Sequence, residues 1–198
     1  MDLLRLITDM QIASARYANP LSGLPGNVPI SEYIKNAIEQ KENSVLCYID
    51  LDNFKPYNDI YGYEKGDKVI VDTAKTLMAI AATDVDFVGH VGGDDFIIIF
   101  RSENWHERCN DLQSRFVDLH LRFYNQQHLE QQGIEAQDRQ GNNRFFPLLS
   151  MSIGVVKLAD FPEIRTDSEL AEKATKAKSI AKKTQGNSLY VLQATDCE

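Results

Sequence analysis

The order of elements legible in the sequence predicts an α+β domain of ferredoxin-like build, with helices laid on a mostly antiparallel central sheet. Three observations carry that prediction. The apolar run Val45 to Leu51 has the length of a buried strand and ends beside a carboxylate, Asp50. Two further runs, Asp86 to Val91 and Phe96 to Arg101, flank Gly92-Gly93-Asp94-Asp95, which has the composition of a hairpin turn. Segments with a three-four apolar repeat interleave with these strands as βαββαβ, with a final helix and strand added; that order suits helices crossing one face of the sheet better than a strictly alternating chain.

Taken in chain order, Asp2 to Tyr17 places Leu3, Leu6, Ile7, Met10, Ser14 and Tyr17 on one side of a helix. The breaker-rich stretch Asn19 to Asn27 ends it, so residues 1–18 read as an appendage and 19–198 as the main domain. The opening helix can be the tail of a signalling linker, a dimer contact or a helix docked on its own domain. A short helix starts near Ser31, and helical patterning resumes from Gly66 to Ala82. A long amphipathic helix is expected over Asn104 to Gln131, then a loop or small hairpin around Gln137 to Arg144, and a strand from Leu148 to Lys157. Leu170, Ala174, Ala177 and Ala181 form the inner stripe of a last helix that carries Lys173, Lys176, Lys178, Lys182 and Lys183; Ser188 to Leu192 is the terminal strand.

At 198 residues, 43% hydrophobic and 25% charged, the chain can bury a core of its own. The 21 Lys and Arg against 29 Asp and Glu leave a formal charge of -8, the wrong sign for neutralising a run of nucleic-acid phosphates. No stretch has the apolar length of a membrane span and the start lacks the order of a secretion signal, so the chain reads as cytoplasmic. Cys47, Cys109 and Cys197 are scattered and form no CxxC pair, and the four histidines lack the spacing of a zinc hydrolase.

Chemistry is expected where Asp50, at the end of one strand, meets Asp94 and Asp95 on the hairpin. Carboxylates gathered in a half-buried place repel one another, and a hard divalent cation is the natural compensation; oxygen-only ligation favours magnesium or manganese. The plainer reading makes Asp94 and Asp95 turn residues and Asp50 a strand-end group. Gly92 and Gly93 tilt the balance, because two glycines remove both side chains beside the acids and let a bulky ligand approach the backbone. Past Asp50, the stretch Leu51 to Pro56 turns from strand into helix, with Asp52 placed to cap it; its free N–H groups and Lys55 make a phosphate cradle. A metal next to such a cradle suggests a nucleoside triphosphate.

Segments in order carry a resemblance: Asn19 to Asn27; Ile49 to Lys55 with Asn58-Asp59, Gly62 and Gly66-Asp67; Gly92 to Phe96; and Ser150 to Gly154, spread over roughly Asn19 to Leu192. Together they resemble the successive motifs of the GGDEF, or diguanylate cyclase, family, here with a GGDDF signature and an expected palm-type nucleotide cyclase fold. The resemblance implies condensation of two GTP into cyclic di-GMP with release of pyrophosphate, in a transient homodimer in which each protomer holds one GTP. By similarity, Asp50, the Leu51 carbonyl, Asp94 and Asp95 hold the divalent ions, Mg2+ or Mn2+, while Asp94 and Asp95 activate the ribose 3′-hydroxyl. Asn58 and Asp67 match the guanine readers, since a carboxylate accepts from guanine N1–H and the N2 amine in a way adenine does not satisfy. Phe54, Lys55, Gly92, Gly93 and Lys182 complete the substrate contacts, although Lys182 also reads as one of several solvated lysines. An attached sensor or phosphodiesterase domain is the expected context.

Departures from the family pattern qualify the activity. Asp95 stands where Glu is usual, shortening the reach of that carboxylate by about 1.5 Å. His90 stands two residues before the double glycine, where the family often carries Arg. The product-inhibition motif RxxD reads Thr83-Asp84-Val85-Asp86, without its arginine, so tight cyclic di-GMP capture there is not expected. Two other readings remain open: a non-catalytic module that binds GTP or cyclic di-GMP and regulates an attached domain, and a cyclase or polymerase of other nucleotides, as among CRISPR-associated cyclases.

Overall fold

The structure is a computed structural model, and it describes residues 16–82, 84–137 and 141–197. Nearly all of the helix expected over Asp2 to Tyr17 lies outside the described residues, as does Thr83. In chain order come α1 (Asn27–Glu39), β1 (Val45–Asp52), α2 (Phe54–Tyr61), α3 (Tyr63–Ile80), β2 (Phe87–Gly92), β3 (Asp95–Phe100), α4 (Trp105–Asp118), α5 (His120–Phe123), α6 (Gln126–Gln131), β4 (Gly133–Gln137), β5 (Asn143–Pro147), β6 (Ser150–Lys157), α7 (Asp167–Ala181) and β7 (Ser188–Val191). Short 3₁₀ turns follow β6 and β7.

Strand β1 lies at the centre of a five-stranded sheet of order β2-β3-β1-β6-β7. Its pairings with β3 and β6 are antiparallel, as is β2 with β3; β7 alone joins in parallel, on β6. The architecture is α+β with a mostly antiparallel sheet flanked by helices. Both faces of the sheet are covered, however, rather than one. Cys47, Ile49 and Leu51 pack with Val69, Leu77, Leu112 and Phe116 of α3 and α4. On the opposite face, Leu46 and Ile97 pack with Ile30 and Ile34 of α1 and with Leu170, Ala174 and Ala177 of α7. A central strand buried on both sides loses the apolar-polar alternation that would mark a solvated face, which is why β1 reads as one continuous apolar run.

Local chemistry explains most element boundaries. Helix α7 starts at Asp167 because Thr166 and Glu169 form a reciprocal capping box. Helix α1 begins four residues ahead of the expected Ser31, since Pro29 falls in its first turn, where no backbone donor is needed. The long helix expected over Asn104 to Gln131 is instead three helices. Tyr124 is extended at the break, its hydroxyl accepting from the Leu149 N–H, and Asn125 caps α6 by accepting from the His128 N–H. A buried aromatic anchored to the next strand and a fresh cap outweigh the continuous helical pattern. The polar stretch after α6 belongs to a separate hairpin, β4 with β5. Strand β6 begins at Ser150, two residues later than expected.

Candidate functional site

The register of β1 on β3 sets Asp50 directly opposite Asp95. Cross-strand partners share a face, so both carboxylates stand on the side covered by α1 and α7. Between β2 and β3 the chain turns through Gly92 and Gly93, both with positive φ (148° and 57°), and the ladder slips between His90 and Gly92. A Cβ on either glycine would meet nothing within 4 Å, so the outer surface of the turn is open. The Asp94 carbonyl accepts from the Leu51 N–H, tying the turn to the end of β1.

A cleft of about 290 Å³ opens at this end of the sheet, with Leu51, Phe54, Lys55, Asp94 and Lys182 in its walls. Gln137 of β4 and Phe146 of β5 also line it. Asn53 stands before α2 in a left-handed conformation (φ 63°) and no side chain caps the helix. The first N–H groups of α2 are therefore left for water or an anion. The expected cap, Asp52, faces β6 instead, where its carboxylate accepts from the hydroxyls of Ser150 (2.9 Å) and Ser152 (2.8 Å). As a β-strand residue it points with Asp50, away from the helix start. Lys55 pairs with Asp59 one turn along α2, at 2.6 Å.

Two lysines of α7 meet the acids. Lys178 lies 2.5 Å from an Asp95 oxygen and 3.3 Å from Asp50, with its ammonium 4.1 Å over the Tyr48 ring. Lys182 donates to Asp50 and lies 3.8 Å from Asp52. It is thus drawn onto the acids and the cleft wall, not spread on a solvated helix face. Burial raises the Asp94 carboxyl above the usual aspartate value, and the Asp50 charge raises it further. Asp95 is raised as well, by burial first and against the pull of Lys178. For Lys178 burial works against the ammonium, yet the hydrogen bond to Asp95 and the charges of Asp95 and Asp50 hold it above the ordinary lysine value.

The two expected base-reading residues sit on successive helices. Asn58 of α2 packs against Gly66 of α3, where a Cβ would come within 1.8 Å of the Asn58 Oδ1; Asp67 follows, exposed. That Oδ1 is buried without a hydrogen-bond partner. The breaker-rich segment before α1 braces the turn from behind. Ser22 meets His90 Nδ1 at 2.8 Å, and His90 Nε2 lies 3.0 Å from the Gly93 carbonyl. A carbonyl only accepts, so Nε2 carries the proton and the neutral ring accepts from Ser22 through Nδ1. His90 is buried and stacked on Phe96, with ring centroids 4.3 Å apart, and burial lowers its pKa.

Comparison with known proteins gives the family. Residues 17–188 match the family described as diguanylate cyclase, GGDEF domain. The chain belongs to the GGDEF family. Among curated relatives, it is 37% identical over 91 residues to diguanylate cyclase DgcZ of Escherichia coli, 45% of this chain and 30% of that protein. It is 32% identical over 81 residues to the cyclic di-GMP phosphodiesterase PdeR of the same organism, 40% of this chain and 12% of that protein. The aligned stretches thus span a third or less of these relatives. Among solved structures, the coiled coil and GGDEF domain of DgcB from Caulobacter crescentus, in complex with c-di-GMP, superposes with a TM-score of 0.66 at 20% identity, over 96% of this chain and 93% of that one. The isolated GGDEF domain of TpbB (YfiN) from Pseudomonas aeruginosa gives 0.64 at 21% identity, over 91% and 96%. At such identities these likenesses concern the fold.

Within this GGDEF domain, Asp86, the last residue of the RxxD-derived motif that lacks its arginine, is committed to other partners. The Asp86 side chain is fully buried and accepts from the Ala82 and Arg101 N–H groups and from Arg108 at 2.5 Å. The GGDDF turn itself divides its acids, Asp94 lining the cleft and Asp95 facing Lys178. Asp50, the Leu51 carbonyl and Asp94 offer oxygen donors only, which in kind fits a hard divalent ion. Among the described residues no three carboxylate, histidine or cysteine groups converge as a ready-made metal cage. An ion at Asp50 competes with the two ammonium groups already there. Sequence reading missed Lys178, Gln137 and Phe146. For the lysine the available signal was spacing, because Lys178 and Lys182 lie four apart on one helix face.

Proposed function

We propose that this domain is a diguanylate cyclase: it condenses two GTP into cyclic di-GMP with release of two pyrophosphates, each GTP held by one protomer of a transient homodimer. The observation that carries the reading is the β1–β3 register, which sets Asp50 beside the glycine turn and next to an open cleft. The triphosphate lies in that cleft, against the uncapped start of α2, with Phe54 at its wall and Lys55 and Lys182 free to exchange their carboxylate partners for phosphate oxygens. Gly92 and Gly93 let the ribose and α-phosphate approach the backbone. Asn58 and Asp67 read the guanine, the orphaned Asn58 oxygen gaining the partner it lacks in the free protein.

Asp50, the Leu51 carbonyl and Asp94 would hold Mg2+ or Mn2+, with Asp95 the remaining candidate ligand; the bound ion offsets charge on the triphosphate. Asp94 and Asp95 accept the 3′-hydroxyl proton, and each freed 3′-oxygen bonds to the α-phosphorus of the facing GTP as its bond to pyrophosphate breaks. Burial raises both carboxyls above the ordinary aspartate value, the direction that makes each a better proton acceptor. With its arginine absent and Asp86 occupied, the RxxD-derived site does not provide feedback. A titration finding tight cyclic di-GMP binding that Asp86→Ala abolishes would overturn that point.

A second reading draws support from the ion pairs of Asp50 and Asp95 with Lys178 and Lys182: a non-catalytic module that binds GTP or cyclic di-GMP and regulates an attached domain. Purified protein incubated with GTP and Mg2+ or Mn2+ decides between them. Cyclic di-GMP on chromatography supports the cyclase; GTP binding without product supports the module. ATP consumed faster than GTP contradicts both.

A further inference from the structure

Lys178 is a cation built into the acidic cluster, and nothing in the proposed cyclase reaction uses it. Its side chain is 13% exposed, and its ammonium touches Asp95 at 2.5 Å and Asp50 at 3.3 Å. The placement is set by packing. Gly154 of β6 lets α7 settle on the sheet so closely that a Cβ there would stand 2.1 Å from the Lys178 backbone nitrogen. From that point the stem crosses the Tyr48 ring, and Tyr48 and Asp50 point the same way from β1. The ammonium is therefore delivered between the two paired acids by the helix-sheet contact itself, not by a chance rotamer of a surface side chain. Lys182, 40% exposed at the end of the helix, is free to leave; Lys178 is not.

We infer that Lys178 is a positioning residue that acts as a resident counter-ion, holding Asp95 out of the metal shell and lowering the affinity of the Asp50–Asp94 site for divalent cations. The physical basis is direct. A positive charge within about 4 Å of two ligand carboxylates repels a divalent ion approaching them and offsets the like-charge repulsion that would otherwise favour its capture. Asp95, one methylene shorter than glutamate, has less reach with which to serve the lysine and an ion together. The inference rests on the metal site of the proposed cyclase and adds to it a reason for weak loading.

Direct Mn2+ titration of the whole chain without nucleotide, followed by the electron paramagnetic resonance signal of free Mn2+, tests it. Lys178→Met keeps the stem over Tyr48 and removes the charge, and is expected to bind Mn2+ about tenfold more tightly than the unmodified protein. Lys178→Arg keeps the charge and is expected to stay within about twofold of it. The gain should shrink in Lys178→Met/Asp95→Asn, since the part that comes from the released carboxylate is lost while the relief of charge at Asp50 remains. Thermal melts of each variant confirm a folded state. Equal or weaker Mn2+ binding by Lys178→Met overturns the inference, and so does a gain that is undiminished in the double variant. Tighter Mn2+ binding with no cyclic di-GMP from GTP leaves the counter-ion role standing and removes the cyclase reading. An absence of Mn2+ binding in every protein at millimolar metal removes both.

Discussion

His90 is held as a neutral ring beside the glycine turn, and its surroundings fix that state. The proton on Nε2 is committed to the Gly93 carbonyl, Nδ1 accepts from Ser22, and burial disfavours the imidazolium. A histidine whose folded pKa lies below its unfolded value binds fewer protons in the folded state. Its contribution to stability is therefore complete above about pH 6.5 and is lost as pH falls through that value toward the folded pKa. His120, lowered by burial, acts in the same direction. Asp52, Asp94 and Asp95, all raised above the ordinary aspartate value mainly by burial, act oppositely, but over a window that starts from about pH 4 upward. The melting temperature is expected to fall between about pH 7 and 5.5, and His90→Gln to flatten that fall. An unchanged pH profile in the variant would show that the ring is not held neutral by its burial against the turn.

At the scale of elements, the contact between α7 and β6 sets the site. Gly154→Ala drives a methyl into the Lys178 backbone, where no flexible side chain can move aside. The cost is about 1–3 kcal/mol, seen as a lowered urea midpoint, together with displacement of both Lys178 and Lys182 from the acids. An unaltered midpoint would mean that the helix does not rest on the glycine. Such close contacts are what a sequence hides. The strands, the glycine turn and the Leu170-Ala174-Ala177-Ala181 stripe were legible because their periodicity and turn chemistry are local. The break at Tyr124 was not, because it depends on a hydroxyl meeting the backbone at Leu149, 25 residues away. Asp52 was misread as a cap because its partners, Ser150 and Ser152, lie on a strand about a hundred residues on. Lys178 looked like one lysine among five until the helix was laid on the sheet.

For the molecule as a whole, a single cleft would account for half of the proposed reaction. If the domain is the proposed cyclase, two GTP meet with each 3′-oxygen facing the other α-phosphorus, and specific activity is expected to rise with protein concentration at low concentration and level off once dimers form. Initial rates over a dilution series check this, and a specific activity independent of dilution down to nanomolar protein would point to a permanent dimer or to single-protomer chemistry. Among the described residues no helix is long and apolar enough to cross a membrane. The proposed reaction requires Asp50 and the glycine turn, which meet across β1 and β3, to bring a divalent ion against GTP. The most direct measurement is cyclic di-GMP formed from GTP and Mn2+ by the protein and by Asp94→Ala, with GTP binding followed in parallel. Product is expected from the former and a loss of at least about a hundredfold in the variant. Equal product from Asp94→Ala would contradict the assignment of the cleft as the catalytic metal site.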